Sequence, residues 1–291
     1  MTAATTPPRP ASATVPRPGL RSVRRGAAAV LAATAATALL AGCDGLPQQK
    51  EDGGTTGGGS DASATPTGTP ASGGAASGGA GEQTSPLKNP EGTEPGLAPL
   101  TSNVDKVRAR RLIDQVRTKG RGPRTGYERE KFGRAWLDTA EGIPLARNGC
   151  DTRNDVLKRD GRKVTFRSGS DCVVVSMTLA DPYTGKDIAW KKAKATEVQI
   201  DHVVPLSYAW QMGAAQWDEE KRKRLANDVL NLLPVSGSPN ASKGDSGPAS
   251  WLPPNKRIRC SYAVRFTQVA LEYDLPVTAP DKRMMLQQCE G

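Results

Sequence analysis

His202 is the only histidine in 291 residues. It stands directly after Asp201 in the stretch EVQIDHVVPL, where an alternating pattern turns apolar. An imidazole titrates near neutral pH, so His202 can act as a general base toward water. Asp201 offers a carboxylate, and Asn240, in SPNASKGD, offers an amide carbonyl. Oxygen donors of this kind suit a hard divalent cation. Asn231, in NDVLNLLPVSGS, lies between them in the chain. Neighbouring residues on an extended strand point to opposite faces. A water and an ion shared by Asp201 and His202 therefore require a turn or kink at that pair.

The elements that must position these residues follow from periodicity. ATEVQIDHVVPL predicts a strand leading into His202, and NLLPVSGS predicts a short strand and loop with a helix opening near Asn240. SYAWQMGAAQW and DEEKRKRLANDV read as helices between them. KVTFRS and CVVVSMTLA are β-rich, and DPYTG is a turn. Helices are predicted over NVDKVRARRLIDQVRTK, YEREKFGRAWLDTA, CSYAVRFTQVALEYDL and APDKRMMLQQC. The class is α+β with a small sheet.

Cys150, Cys172, Cys260 and Cys289 contain no Cys-x-x-Cys pair, which argues against a zinc ribbon. An even number in an exported chain favours two disulfides. The pairing Cys150–Cys172 and Cys260–Cys289 is expected, because each closes a local loop. Export itself is read from the N-terminus. Arg9, Arg17, Arg21, Arg24 and Arg25 precede the apolar stretch AAAVLAATAATALL, which suits a signal-peptide core. That stretch ends in LAGC, so Cys43 is the expected lipidation site of a lipobox, resembling those of bacterial lipoproteins. Residues 44–100 are dominated by Gly, Ser, Thr, Ala and Pro and read as a flexible tether. The expected organisation is a signal peptide and lipobox over 1–43, a tether over 44–100 and one folded domain over 101–291.

Lys and Arg outnumber Asp and Glu by 40 to 30. Residues 1–100 carry equal numbers of each sign, so the excess belongs to the folded domain. A basic domain points to a polyanionic partner. The run KRKR, including Lys221 and Arg222, and the KKAK run at Lys191 read as contacts to a phosphate backbone. Lys243 is close enough to Asn240 in sequence to contact a phosphate as well.

Taken in order, IDHVVPL and ANDVLNLLPVSGSPNASKGDSGPASWLPP resemble the HNH, or ββα-metal, nucleases. More narrowly, they resemble the C-terminal nuclease domain of GmrSD-type restriction endonucleases and its secreted bacterial relatives, which GCDTRNDVL and DPYTG also fit. The resemblance implies a ββα-metal core within a mostly helical domain. It implies phosphodiester hydrolysis with His202 as base and leaving 5′-phosphate and 3′-hydroxyl ends. It assigns Asn231 to orienting the segment that carries the base, and Asp201 and Asn240 to holding one divalent ion. Many members end the motif with a second histidine where Asn240 stands. Its absence argues against zinc or nickel and for Mg²⁺ or Mn²⁺, with no organic cofactor. The implied partner is nucleic acid, with DNA preferred, and a membrane reached only through the lipid anchor. No protein partner is implied. The alternative from another class is a basic lipoprotein that binds nucleic acid or an envelope polymer without catalysis.

Overall fold

The computed structural model describes residues 82–290. Cys43 and the targeting segment lie outside the described residues, as does most of the expected tether. Among the described residues no helix is long and apolar enough to cross a membrane.

The elements that carry the site are two strands and a helix. Strand β4, Val198–His202, pairs antiparallel with β5, Leu232–Ser236, in the register His202 to Leu232 and Asp201 to Leu233. Helix α5, Gly237–Lys243, follows β5 directly and packs on both strands. Between β4 and β5 the chain forms α3, Leu206–Met212, and α4, Glu219–Asn227. Asp218 caps α4 by accepting from the Lys221 amide, which satisfies one of the free N–H groups of the first turn.

A separate antiparallel sheet has the order β1–β2–β3, with β1 at Gly161–Phe166, β2 at Val174–Ala180 and β3 at Asp187–Lys191. Helix α2, Thr152–Asp160, precedes it and is capped by Asp151. One apolar cluster joins α2, this sheet, β4 and β5 through Val156, Leu157, Leu179, Trp190, Ile200 and Leu232. The larger cluster surrounds α6, Arg259–Glu272. Its residues Tyr262, Ala263, Val264, Phe266 and Val269 are all buried, and so are the polar Ser261, Arg265 and Thr267, so α6 is buried on most sides and central. Helices α1, Asn103–Asp114, and α7, Ala279–Gln288, pack against it. Disulfides join Cys150 to Cys172 and Cys260 to Cys289, the expected pairing.

Two expectations are corrected. Residues 82–100, read by composition as tether, are packed into the domain. Leu97 is fully buried, and the buried guanidinium of Arg265 donates to the carbonyl of Asn89. Arg159 donates to the carbonyl of Gly92. Gly92 has φ +71°, and a Cβ there would lie 2.5 Å from the Cα of Leu230. The segment YEREKFGRAWLDTA is not a helix. It forms a 3-10 turn at Arg129–Phe132, followed by turns in which Gly133 has φ +79° and Trp136 φ +60°. Burial of Phe132 among aromatic rings holds that turn in place of helical periodicity.

Candidate active site

The alternation of β4 divides the expected residues between its two faces. Val198, Ile200 and His202 share one face, and Gln199 and Asp201 share the other. The strand runs straight through His202, without the kink expected from a shared ion.

On the first face, His202 is buried, with 8 % of its surface exposed. Its Nε2 lies 2.9 Å from the carbonyl oxygen of Ala226. Ala226 is in the last turn of α4, where carbonyls lack intrahelical partners. A carbonyl only accepts, so Nε2 carries the hydrogen and Nδ1 keeps its lone pair. The imidazole lies parallel to the indole of Trp136, with ring centroids 6.2 Å apart and planes 13° apart. Burial pushes the imidazole pKa down to about 3. The positive charges of Arg129 and Lys243 act in the same direction, and the Ala226 hydrogen bond opposes them. At neutral pH His202 is therefore uncharged, with Nδ1 unprotonated.

Asn231 fixes the segment after His202. Its Oδ1 accepts from the amide of Val204 at 2.8 Å, and its Nδ2 donates to the carbonyls of Val204 and Leu225. Its own carbonyl accepts from the amide of Val203. The side chain is fully buried. It thus links the turn leaving β4 to α4, one residue from the carbonyl that holds His202.

The second face of β4 meets α5. Asn240 donates through Nδ2 to Oε1 of Gln199 at 2.9 Å. Lys243 donates to both carboxylate oxygens of Asp201, at 2.8 and 2.7 Å, and to the carbonyl of His202 at 2.7 Å. The hydroxyl of Tyr183 donates to Oδ2 of Asp201 at 2.5 Å. All three ammonium protons of Lys243 are used, and the side chain is fully buried. Burial pushes the Asp201 carboxyl up and the Lys243 ammonium down, and each charge draws the other back.

This arrangement corrects two expectations. Lys243 does not reach a phosphate, because its charge is matched internally. Asp201 and Asn240 do not fit a single divalent ion as expected, because the carboxylate is already capped by an ammonium and a phenol. Among the described residues no group of three His, Cys, Asp or Glu side chains is placed to hold a metal.

The basic run on α4 is also placed differently. Arg222 donates through Nε to the carbonyl of Lys131 at 2.8 Å and through Nη1 to that of Trp217. It braces the loop beside the site and is not a free rail. Lys221 lies over the ring of Trp217, its Nζ 4.3 Å from the centroid.

What the sequence reasoning missed is the wall over His202. A narrow pocket of about 20 Å³ is lined by Arg129, Arg134, Trp136, His202, Leu206 and Ala226, among others. That volume holds about one water molecule. The amide of Leu137 donates to Oδ1 of Asn227 at 2.7 Å, and Oγ1 of Thr152 donates to the carbonyl of Leu137, so the wall is tied to α4 and α2. Basic and aromatic residues are visible in EREKFGRAW, but its helical spacing concealed their role.

Comparison with known proteins places Asp201, His202, Asn231 and Asn240, but not the Arg129–Trp136 wall, within a family match. Residues 151–288 match the family described as GmrSD restriction endonucleases, C-terminal domain. The chain is 39 % identical over 191 residues to a protein of Arthroderma benhamiae described as an uncharacterized secreted protein, covering 65 % of this chain and 87 % of that one. No solved structure matches the chain significantly.

Proposed function

Because the chain belongs to the family of GmrSD restriction endonuclease C-terminal domains, we propose that it is an exported endonuclease hydrolysing nucleic-acid phosphodiester bonds, with His202 as general base. The observation that carries this reading is the imidazole held in one tautomer at a water-sized pocket. The lone pair of Nδ1 takes a proton from water. The water oxygen bonds to phosphorus as the bond to the 3′ oxygen breaks, and the departing 3′ oxygen takes a proton from solvent, giving 5′-phosphate and 3′-hydroxyl ends. The Ala226 carbonyl stabilises the imidazolium that forms. A bound phosphate offsets the nearby arginine charge and raises the proton affinity of His202 toward a useful range. Asn231 is the positioning residue. In this reading β4, β5 and α5 make up the ββα core, DNA is the preferred substrate, and export follows the secreted relative.

The Asp201–Lys243 pair favours a second reading, a binder of nucleic acid without catalysis, because it leaves no evident ion site. Incubating the exported chain with plasmid in Mg²⁺, Mn²⁺ or EDTA separates the two. Cleavage that falls at least several hundredfold in His202→Ala, with the fold retained, supports the nuclease. Equal cutting by both proteins, or binding with no cutting in any condition, removes it.

A further inference from the structure

The wall of the pocket is supplied by a part of the chain that precedes the family match, since Arg129, Arg134 and Trp136 lie before residue 151. Arg129 and Arg134 are both exposed at the rim of that pocket. Among the described residues neither makes an ion pair. No carboxylate lines the pocket, so every charged side chain around it is cationic.

The loop that holds them is built for fixed placement. Phe132 is buried against Tyr127 and Trp210, with ring centroids 6.2 and 6.4 Å away. Gly133 turns with φ +79°, and a Cβ there would lie 2.6 Å from Cγ of Lys223. Arg222 holds the Lys131 carbonyl on one side, and Asn227 holds the Leu137 amide on the other. Trp136 closes the loop in a left-handed conformation, which costs an ordinary residue of order 1 kcal/mol or more. Neither arginine contributes to this bracing, so the loop folds without them and presents their charge to solvent.

The pocket is too small for a nucleobase or a phosphate group. A strand lying across its mouth would run past both exposed arginines and over the water-sized space beside His202. We infer that the loop from Arg129 to Trp136 is the phosphate-binding arm of this site, with Arg129 and Arg134 contacting adjacent phosphates of a nucleic-acid strand. The assignment rests on the nuclease reading for its substrate, but its binding step is independent of cleavage.

The test uses the full exported chain in a His202→Ala background, so that the probe is not cut. A fluorescein-labelled duplex and a single strand of equal length are titrated by anisotropy at several NaCl concentrations. Arg129→Gln with Arg134→Gln is expected to weaken binding at least tenfold at low salt. The slope of log affinity against log salt should fall by about two for duplex, roughly 0.9 for each phosphate no longer neutralised. Arg129→Lys with Arg134→Lys should keep the slope, because each lysine retains the charge. In the active chain the glutamine pair should raise KM more than it lowers kcat. Unchanged affinity and slope in the glutamine pair, with unchanged thermal melting, overturn the arm. A chain that binds through these arginines but never cuts overturns the nuclease reading and leaves the arm standing. Cutting with unchanged KM in the glutamine pair does the reverse.

Discussion

The Nζ of Lys243 lies 2.7 Å from the carbonyl oxygen of His202. The end of β4 is thereby tied to α5 through the backbone of the residue that bears the imidazole, while the ring itself points to the opposite face. The same ammonium neutralises Asp201. The pair is buried and fully hydrogen-bonded, so removing one member leaves an uncompensated charge.

Lys243→Met is therefore expected to destabilise the chain by about 3–5 kcal/mol. The double variant Asp201→Asn with Lys243→Met should recover much of that loss. Urea unfolding of the four proteins of the cycle measures this. A double variant whose loss equals the sum of the two single losses would show that the side chains are not coupled.

Asn231→Ala should lower stability by about 2–3 kcal/mol, since the amide of Val204 loses its buried acceptor. If the nuclease reading holds, kcat should fall in the surviving folded fraction while KM changes little. A variant with lowered melting temperature and unchanged kcat would confine Asn231 to the scaffold.

Stability should depend on acid through two groups of opposite sign. His202 has its folded pKa at about 3, below its ordinary value of 6.5. The unfolded chain therefore binds the extra proton, and stability falls as pH drops from about 6.5 toward 3. Burial raises the Asp155 carboxyl to about 6 from 3.8, against the hydrogen bond donated by Asn148. The folded chain binds that proton more tightly, so stability falls as pH rises from about 4 through 6. Melting temperatures of His202→Gln and Asp155→Asn between pH 4 and 8 check both signs. His202→Gln should flatten the acid side, and Asp155→Asn should be more stable than the parent above pH 6 and equal to it near pH 4.

Replacing Cys260 and Cys289 together by serine should cost about 3–4 kcal/mol through the freed 29-residue separation. Cys289 is fully buried beside α6, so α7 should loosen as well. Hydrogen exchange that is unchanged in α7 would contradict this.

Much of the site was legible in the sequence because its cues are local. The alternating run before His202, the short strand after Asn231 and the basic helix between them appear where periodicity places them. Both disulfides follow the pairing expected from local loop closure. The rest depends on tertiary contacts. Lys243 sits in a polar, turn-like stretch, and only the carboxylate of Asp201 across the strand makes its burial tolerable. The shared ion was expected from residue types, yet the period of two in β4 separates Asp201 from His202. Leu97 and Leu100 are too few among prolines and glycines to mark residues 82–100 as part of the core. Trp136 adopts its left-handed backbone through packing, for which a tryptophan carries no local signature.

Strands β4 and β5 meet only across the whole of α3 and α4. Pairing at that separation requires closing a long loop before any ladder bond forms. A ribosome-bound chain that stops short of Asn231 holds the histidine with neither its neighbouring strand nor its alignment. Competence therefore arrives late in biogenesis, after synthesis has passed Ser236, and premature termination before that point yields a chain whose imidazole has no fixed orientation.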